Sequence, residues 1–331
     1  MPEVTTLTGL HHIAVVSRDM DRTAAFYRDV LGLASQGQGQ APFAAPGRGN
    51  ELATVPAQYF GDGRSGSEMV VSVLDRPGSA QGTPGIGGTH HFALAVADRE
   101  ILLRWKRRLL DAGYPVNGIL DRHYFQSIYT RDPDGTIVEL ATMGPGWTID
   151  EHPDRLGESH RAPPPEMLNT NRDRARVAAE TWPDPVSQIT PEMRISGLHH
   201  VTAIGANIEQ IHGFVGDQLG MRRVKRTSNF DDAASYHWYW GINQGAPGTL
   251  VTYFERKPER EKPVVMGSGQ VAHYGMSVPP GALENLASAF GRQRLPVSPV
   301  LDFGPDGYRF HALATRDPEG QPVVIATTST R

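Results

Sequence analysis

Apolar residues along this chain come in short blocks whose spacing alternates between that of a strand and that of a helix. The run Ile13-Ala14-Val15-Val16, directly after His12, is short and β-branched, as a buried strand requires. Behind it Met20, Ala24, Phe26, Tyr27, Val30 and Leu31 mark one face of a helix, and Gly32 sits where a C-terminal cap is expected. A second such helix is written by Ile101–Leu103, Trp105 and Leu109–Leu110, and Gly113 follows it. Short strands come next, the last of them after the turn Asp132-Pro133-Asp134-Gly135, whose chemistry is echoed at Asp317–Gly320.

The same order of blocks recurs along the chain. TGLHHIAVVSRDMDRTAAFYRDVLGL (8–33) returns as SGLHHVTAIGANIEQIHGFVGDQLGM (196–221), matching Leu10 to Leu198, His11–His12 to His199–His200 and Phe26 to Phe214. HHFALAV (90–96) resembles AHYGMSV (272–278), and YTRDPDGTIVELAT (129–142) resembles ATRDPEGQPVVIAT (314–327). Four segments therefore open on strands bearing His12, His91, His200 and His273. Each predicts strand, helix and about three strands. The fold class is α+β: four βαβββ modules, two to an open β-barrel. Two modules are expected in 1–143 and two in 195–331. The Pro-, Gly- and charge-rich stretch 144–194 reads as a linker or an ordered strap.

Composition narrows the function. The 331 residues carry 32 Lys+Arg against 36 Asp+Glu, a net charge of −4, with no basic block, which argues against a nucleic-acid partner. With no cysteine among them, disulfides, thiolate metal sites and cysteine nucleophiles are excluded, and a reducing cytoplasm is expected. No apolar run is long enough to span a bilayer, and Met1–Leu10 lacks the pattern of a signal peptide, so no membrane partner is expected. The Gly-rich pieces Gly37–Gly39 and Gly82–Gly88 do not stand between a strand and a helix and carry no phosphate-loop signal.

Candidate chemistry gathers on the histidine strands. Six of the 13 histidines form three His-His pairs, each on the first strand of a segment. A strand histidine is ordinarily a hydrogen-bonded core residue, and recurrence can be inherited by duplication. Glu139 changes the picture, because a carboxylate inside Ile137-Val138-Glu139-Leu140-Ala141 is costly to bury unless paired or bound to a metal. Two histidines and one carboxylate with open positions are the facial triad of non-haem ferrous oxygenases. At the corresponding places segment 4 has Val324 for Glu139, Ala314 for Tyr129 and Gly307 for Arg122, so one half can build a metal site and the other keeps only the scaffold.

These motifs resemble the vicinal oxygen chelate superfamily of glyoxalase I, fosfomycin-resistance proteins, bleomycin-binding proteins and extradiol dioxygenases. LHHVT (198–202), RRVKRTSNFDD (222–232), SYHWYW (235–240) and GAPGTLVTYF (245–254) are similar to the first segment of hydroquinone 1,2-dioxygenases. THHFALAV (89–96), RHYFQSIYTRDPDGTIVELAT (122–142) and GPGWTIDEHPDRLG (144–157) resemble that family's last segment and tail, so the halves stand in swapped order. The resemblance implies His91, Glu139 and His200 as metal ligands, with His90, His199, Thr202, Arg122 and Tyr129 around them. If segment 1 paired with segment 2 instead, His12 would replace His200.

Strand alternation lets His200 and Thr202 share a face, and turns His199 and His90 to the other face unless the strand is bent. Tyr129 is either a core tyrosine or a hydrogen-bond partner of the substrate, and Arg122 is either solvated or the counter-charge of a phenolate. Alternate members of the run Tyr236–Trp240 would line an aryl pocket or pack the barrel. The expected protein is an Fe(II) ring-cleaving dioxygenase, Mn(II) being the other metal considered. Its partners would be an aromatic diol and O2, with room for a homo-oligomer. Rival expectations are a catechol-type extradiol enzyme, a glyoxalase-like metal-dependent isomerase, and a non-catalytic aromatic-ligand or drug-binding protein. The isomerase would want a fourth protein ligand, and Val324 removes one candidate.

Overall fold

The computed structural model describes residues 7–43, 52–63, 69–306 and 309–327. Each segment folds as the sequence pattern predicts. The first is β1 (Gly9–Ser17), α1 (Met20–Ala25, continued by a π-helical turn Phe26–Val30), β2 (Ala34–Phe43), β3 (Ala53–Gly61) and β4 (Met69–Asp75). The second is β5 (Thr89–Val96), α2 (Arg99–Asp111), β6 (Asn117–Asp121), β7 (Gln126–Arg131) and β8 (Ile137–Thr142). A strap containing α3 (Arg174–Ala179) leads to β9 (Leu198–Gly205), α4 (Ile208–His212, continued by the π-helical turn Gly213–Gln218), β10 (Arg222–Ser228), β11 (Tyr236–Gly241) and β12 (Leu250–Glu255). The last unit is β13 (Val271–Val278), α5 (Leu283–Arg292), β14 (Leu301–Pro305), β15 (Phe310–Arg316) and β16 (Pro322–Thr327).

Local chemistry explains where these elements begin and end. The Asp98 carboxylate accepts from the Ile101 amide and caps α2, which buries Ile101, Leu102, Trp105 and Leu109 against the sheet. Gly113 ends it at φ 82°, a left-handed conformation that costs glycine nothing.

The units pair across the halves of the chain. Strands β1-β13-β16-β15-β14-β2-β3-β4 form a closed barrel from the first and fourth units. Strands β10-β11-β12-β9-β5-β8-β7-β6 form a curled sheet from the third and second. Of the two barrels expected to be open, therefore, only the second is. Closure of the other rests on a close approach: β14 pairs with β2 through Gly304 with Gln40 and Pro305 with Gly39. A Cβ at Gly39 would lie 2.1 Å from the Gly304 carbonyl oxygen, so this contact needs glycine. That is the use of the Gly37–Gly39 stretch.

The open seam between β6 and β10 is covered by the strap. Arg161 N donates to Arg226 O of β10 at 2.9 Å, and Asn169 N donates to Phe230 O at 2.8 Å. Met167 and Val177 of the strap pack with Leu120 of β6 and Phe230. Two buried lysines pin it. Lys106 Nζ, from α2, donates to the carbonyls of Val177 (2.7 Å), Ala178 (3.2 Å) and Glu180 (2.5 Å), where α3 leaves its last carbonyls unpaired. Lys225 Nζ, from β10, bonds Asp150 Oδ1 at 2.8 Å and also Glu151 Oε2.

Candidate metal centre and its cavity

The site forms where β5 meets β9. These strands run antiparallel, with His91 opposite Thr202 and Ala93 opposite His200. On the other side of β5, Glu139 of β8 lies opposite Ala93 in a parallel pair. The small Ala93 side chain is thus flanked by His200 and Glu139, with His91 two residues along the same face. All four are buried. His91 Nε2 stands 2.9 Å and His200 Nε2 3.4 Å from Glu139 Oε2, and a ligand atom from each of the three residues lies within 4.8 Å of the others. His12, the alternative to His200, lies in the closed barrel.

The paired histidines depart from simple alternation. The ladder between β5 and β9 slips between Thr89 and His91, and again where Ala93 opposite His200 gives way to Leu94 opposite Leu198. Each slip is a bulge whose extra residue is the outer histidine, His90 or His199. The bulge turns the outer ring back onto the inner one: His90 Nδ1 is 2.7 Å from His91 Nδ1, and His199 Nδ1 is 2.9 Å from His200 Nδ1.

Proton positions follow from one carbonyl. His199 Nε2 is 3.2 Å from Thr142 O, which can only accept, so His199 carries its proton on Nε2. Its Nδ1 then accepts from His200 Nδ1–H, and the Nε2 lone pair of His200 is left facing Glu139. Burial lowers the His199 imidazole to about 3 and His90 well below its ordinary value. His91 is also lowered by burial, against the pull of Glu139, so it favours the neutral form that binds metals.

These residues fit a metal ion. Glu139 is 0% exposed and neither of its oxygens accepts a hydrogen bond, although two imidazole nitrogens crowd one of them. A buried carboxylate crowded by two imidazole nitrogens, with no hydrogen bond to its oxygens, is a good N2O ligand set. The closed barrel shows the contrast. There His12 lies opposite Gly275, and Gly275 lies beside Val324, the place of Glu139. His12 Nε2 and His273 Nε2 bond each other at 2.8 Å, which uses the lone pairs internally.

Among the described residues the candidate set stops at three. Glu139 is the parallel neighbour of Ala93; by the twofold relation of β5 to β9, its counterpart is the parallel neighbour of Thr202, which is Thr252. The position of a fourth ligand is thus on β12, within the same sheet, and not at Val324 as the sequence suggests.

A cavity of about 520 Å³ opens on the site. His90, His91, Arg122 and Tyr129 line it, together with Phe230 and Phe254. The Arg122 guanidinium lies 4.0 Å over the Phe230 ring, and its Nη1 is buried without a hydrogen-bond partner. The Tyr129 phenol is pushed well above its ordinary value by burial and by the nearby Glu139 charge, so it remains a donor. Thr202 Oγ1 stands 2.9 Å from His91 Nε2, behind the cavity. His199 is on the far side of His200 and lines a separate cavity of about 170 Å³ with Phe125 and Trp147. Of the run Tyr236–Trp240, no member lines the larger cavity; His237 and Tyr239 instead bond each other at 2.8 Å inside the sheet. Sequence reasoning missed Phe230, Phe254 and Thr252, which read as ordinary strand and turn residues.

Residues 9–140 match the family model of the Glyoxalase/Bleomycin resistance protein/Dioxygenase superfamily. A Bacillus subtilis (strain 168) protein named "Putative ring-cleaving dioxygenase MhqE" is 35% identical over 133 residues, 40% of this chain and 42% of that protein. The chlorohydroquinone/hydroquinone 1,2-dioxygenase of Sphingobium indicum is 29% identical over 184 residues, 52% of each. The chain thus spans between 32% and 52% of the length of the curated relatives it matches. A crystal structure from Bacillus subtilis subsp. subtilis str. 168 superposes with a TM-score of 0.70 at 19% identity, over 99% of this chain and 87% of that one, and so shares the fold. No helix among the described residues is long and apolar enough to cross a membrane.

Proposed function

We propose that this chain, whose residues 9–140 match the Glyoxalase/Bleomycin resistance protein/Dioxygenase superfamily model, is a ferrous ring-cleaving dioxygenase acting on a hydroquinone. The observation that carries the reading is the fully buried Glu139, its oxygens unbonded and faced by two imidazole nitrogens in one barrel only. His91 Nε2, His200 Nε2 and Glu139 Oε2 would hold the ion. A ferrous ion held there would supply the one-electron chemistry that lets an aromatic diol react with O2.

The protein's own groups prepare the diol for that chemistry. Phe230 and Phe254 give the cavity an apolar wall for an aromatic substrate. His91 Nδ1–H donates to His90 Nδ1, which places the His90 proton on Nε2, where it can bond a substrate oxygen. Together with the Tyr129 hydroxyl and the unpaired Arg122 Nη1, this gives three donors around the cavity. Such a lining stabilises a phenolate over a phenol and favours release of the hydroxyl proton to solvent. Tyr129 is then the group placed to return a proton when the ring opens. A ferrous site keeps its oxidation state most readily in the cytoplasm, where we place the protein.

The test is oxygen uptake by protein loaded anaerobically with Fe(II), and separately with Mn(II), offered hydroquinone, its chloro and methyl derivatives, and catechols. Close to one O2 consumed per hydroquinone supports the reading and identifies the metal. Uptake with catechols alone would reassign the protein as an extradiol enzyme. No uptake with any diol, despite bound iron, would overturn the dioxygenase reading.

A further inference from the structure

A line of hydrogen bonds runs from the metal residues into the wall of the open sheet. Thr202 Oγ1 stands 2.9 Å from His91 Nε2, and Thr252 Oγ1 donates to Thr202 Oγ1 at 2.8 Å. His237 Nε2 is 2.7 Å from Thr252 Oγ1, and the Tyr239 hydroxyl is 2.8 Å from His237 Nδ1. Every member is buried. The line has a direction. A threonine hydroxyl owns one hydrogen, and Thr252 spends its own on Thr202, so it must accept from His237 Nε2–H. His237 Nδ1 is then an acceptor, and its partner is the phenol of Tyr239, which burial keeps protonated by raising it above its ordinary value. At the far end Thr202, already accepting from Thr252, turns its single hydrogen towards the metal residues.

The closed barrel lacks this line. Register places Ala14, Ser72, Ala57 and Tyr59 at the positions of Thr202, Thr252, His237 and Tyr239. The Ser72 hydroxyl is left buried with no partner, and the Tyr59 hydroxyl bonds the Gln40 carbonyl instead. The line and the carboxylate occur in the same half of the molecule and are missing from the same half. Moreover, Thr252 stands where a fourth metal ligand would be, so the line begins beside the three candidate ligands.

From this geometry we infer that His237 and Thr252 are positioning residues that lock the Thr202 hydroxyl as a hydrogen-bond donor to whatever oxygen or anion occupies the open side of the metal. The inference rests on the metal site of the proposed function. A metal on His91 Nε2 takes up the lone pair that Thr202 faces, and the hydroxyl hydrogen is then free for the exogenous ligand. His237 acts through two hydroxyls and does not itself touch the substrate.

The experiment compares His237→Phe, His237→Gln and wild type as Co(II)-loaded proteins titrated with azide, followed by visible absorption. Glutamine keeps an N–H donor and a carbonyl acceptor but cannot titrate; phenylalanine keeps the bulk and loses both. Azide affinity is expected to fall about tenfold in His237→Phe, the loss of one charge-assisted hydrogen bond, and to stay within about twofold of wild type in His237→Gln, with Co(II) affinity unchanged in both. Tyr239→Phe, which removes only the first donor, should give a smaller loss in the same direction. Equal azide affinity in all proteins would overturn the inference, and so would a glutamine variant as impaired as the phenylalanine one. Failure of wild type to bind Co(II) would remove the metal site and the inference together. The expected azide pattern without oxygen uptake on any diol would leave the inference standing and remove only the substrate reading.

Discussion

Glu139 is the residue on which the proposed chemistry turns, and its environment sets what its replacement should do. Its oxygens accept no hydrogen bond, so the amide of Glu139→Gln gains no obvious partner, while the negative charge that completes the N2O set is lost. Metal affinity should fall by more than about 100-fold, beyond the usual cost of disturbing an outer partner of a metal ligand. Metal content after gel filtration would show this, with far-ultraviolet circular dichroism checking that the chain stays folded. In the sequence Glu139 was conspicuous because an acid in an apolar strand is costly. Thr252 was not, and His237 stood out only as a member of the run Tyr236–Trp240; only the ladder brings the two into one line.

At the scale of elements, the strap covers the open seam of the sheet, and buried charge holds it there. Lys225 has a fully buried side chain whose ion pair with Glu151 is also buried, beside Asp150 at 23% exposure. Removing the cation strands two carboxylates, the costly way to break a buried pair. Lys225→Met should therefore destabilise the protein by about 3 kcal/mol in urea denaturation and speed limited proteolysis within 144–194. The sequence marked this stretch as linker or strap from its composition alone. Its order was not legible there, because it depends on partners from α2, β6 and β10 rather than on any period of its own.

Across the whole molecule, each barrel serves as a control for the other. Only the open one has the carboxylate, so His200→Ala should abolish metal binding while His12→Ala leaves it near one metal per chain, as read by isothermal titration. The closed barrel also carries an acid sensitivity, as the open one does through His90 and His199. Burial lowers His11 to about 4 and His273 to about 3, so both are neutral in the folded chain where an unfolded histidine, near 6.5, would take a proton. This contribution to stability is fully present above pH ~6.5 and is lost as pH falls towards the folded values, at about 1.4 kcal/mol per pH unit for each group. Urea midpoints of the metal-free protein should fall steeply between about pH 6 and pH 4, and less steeply in His11→Phe, whose ring fits the aromatic contacts with Phe303 and Phe310.

The amino-acid sequence by itself determined the four βαβββ units, because hydrophobic period, helix caps and Asp-Pro turns act within a few residues of one another. It also determined that one copy alone has an acid to offer. Only the tertiary structure decided which copies meet. Four similar histidine strands can pair in more than one way, and the choice of β5 with β9 depends on contacts far apart in the chain. That choice put His91, Glu139 and His200 on one face around Ala93, left His12 to bond His273, and placed Thr252 at the fourth position. It also left one seam open for the strap, while glycine at position 39 allowed the other to close.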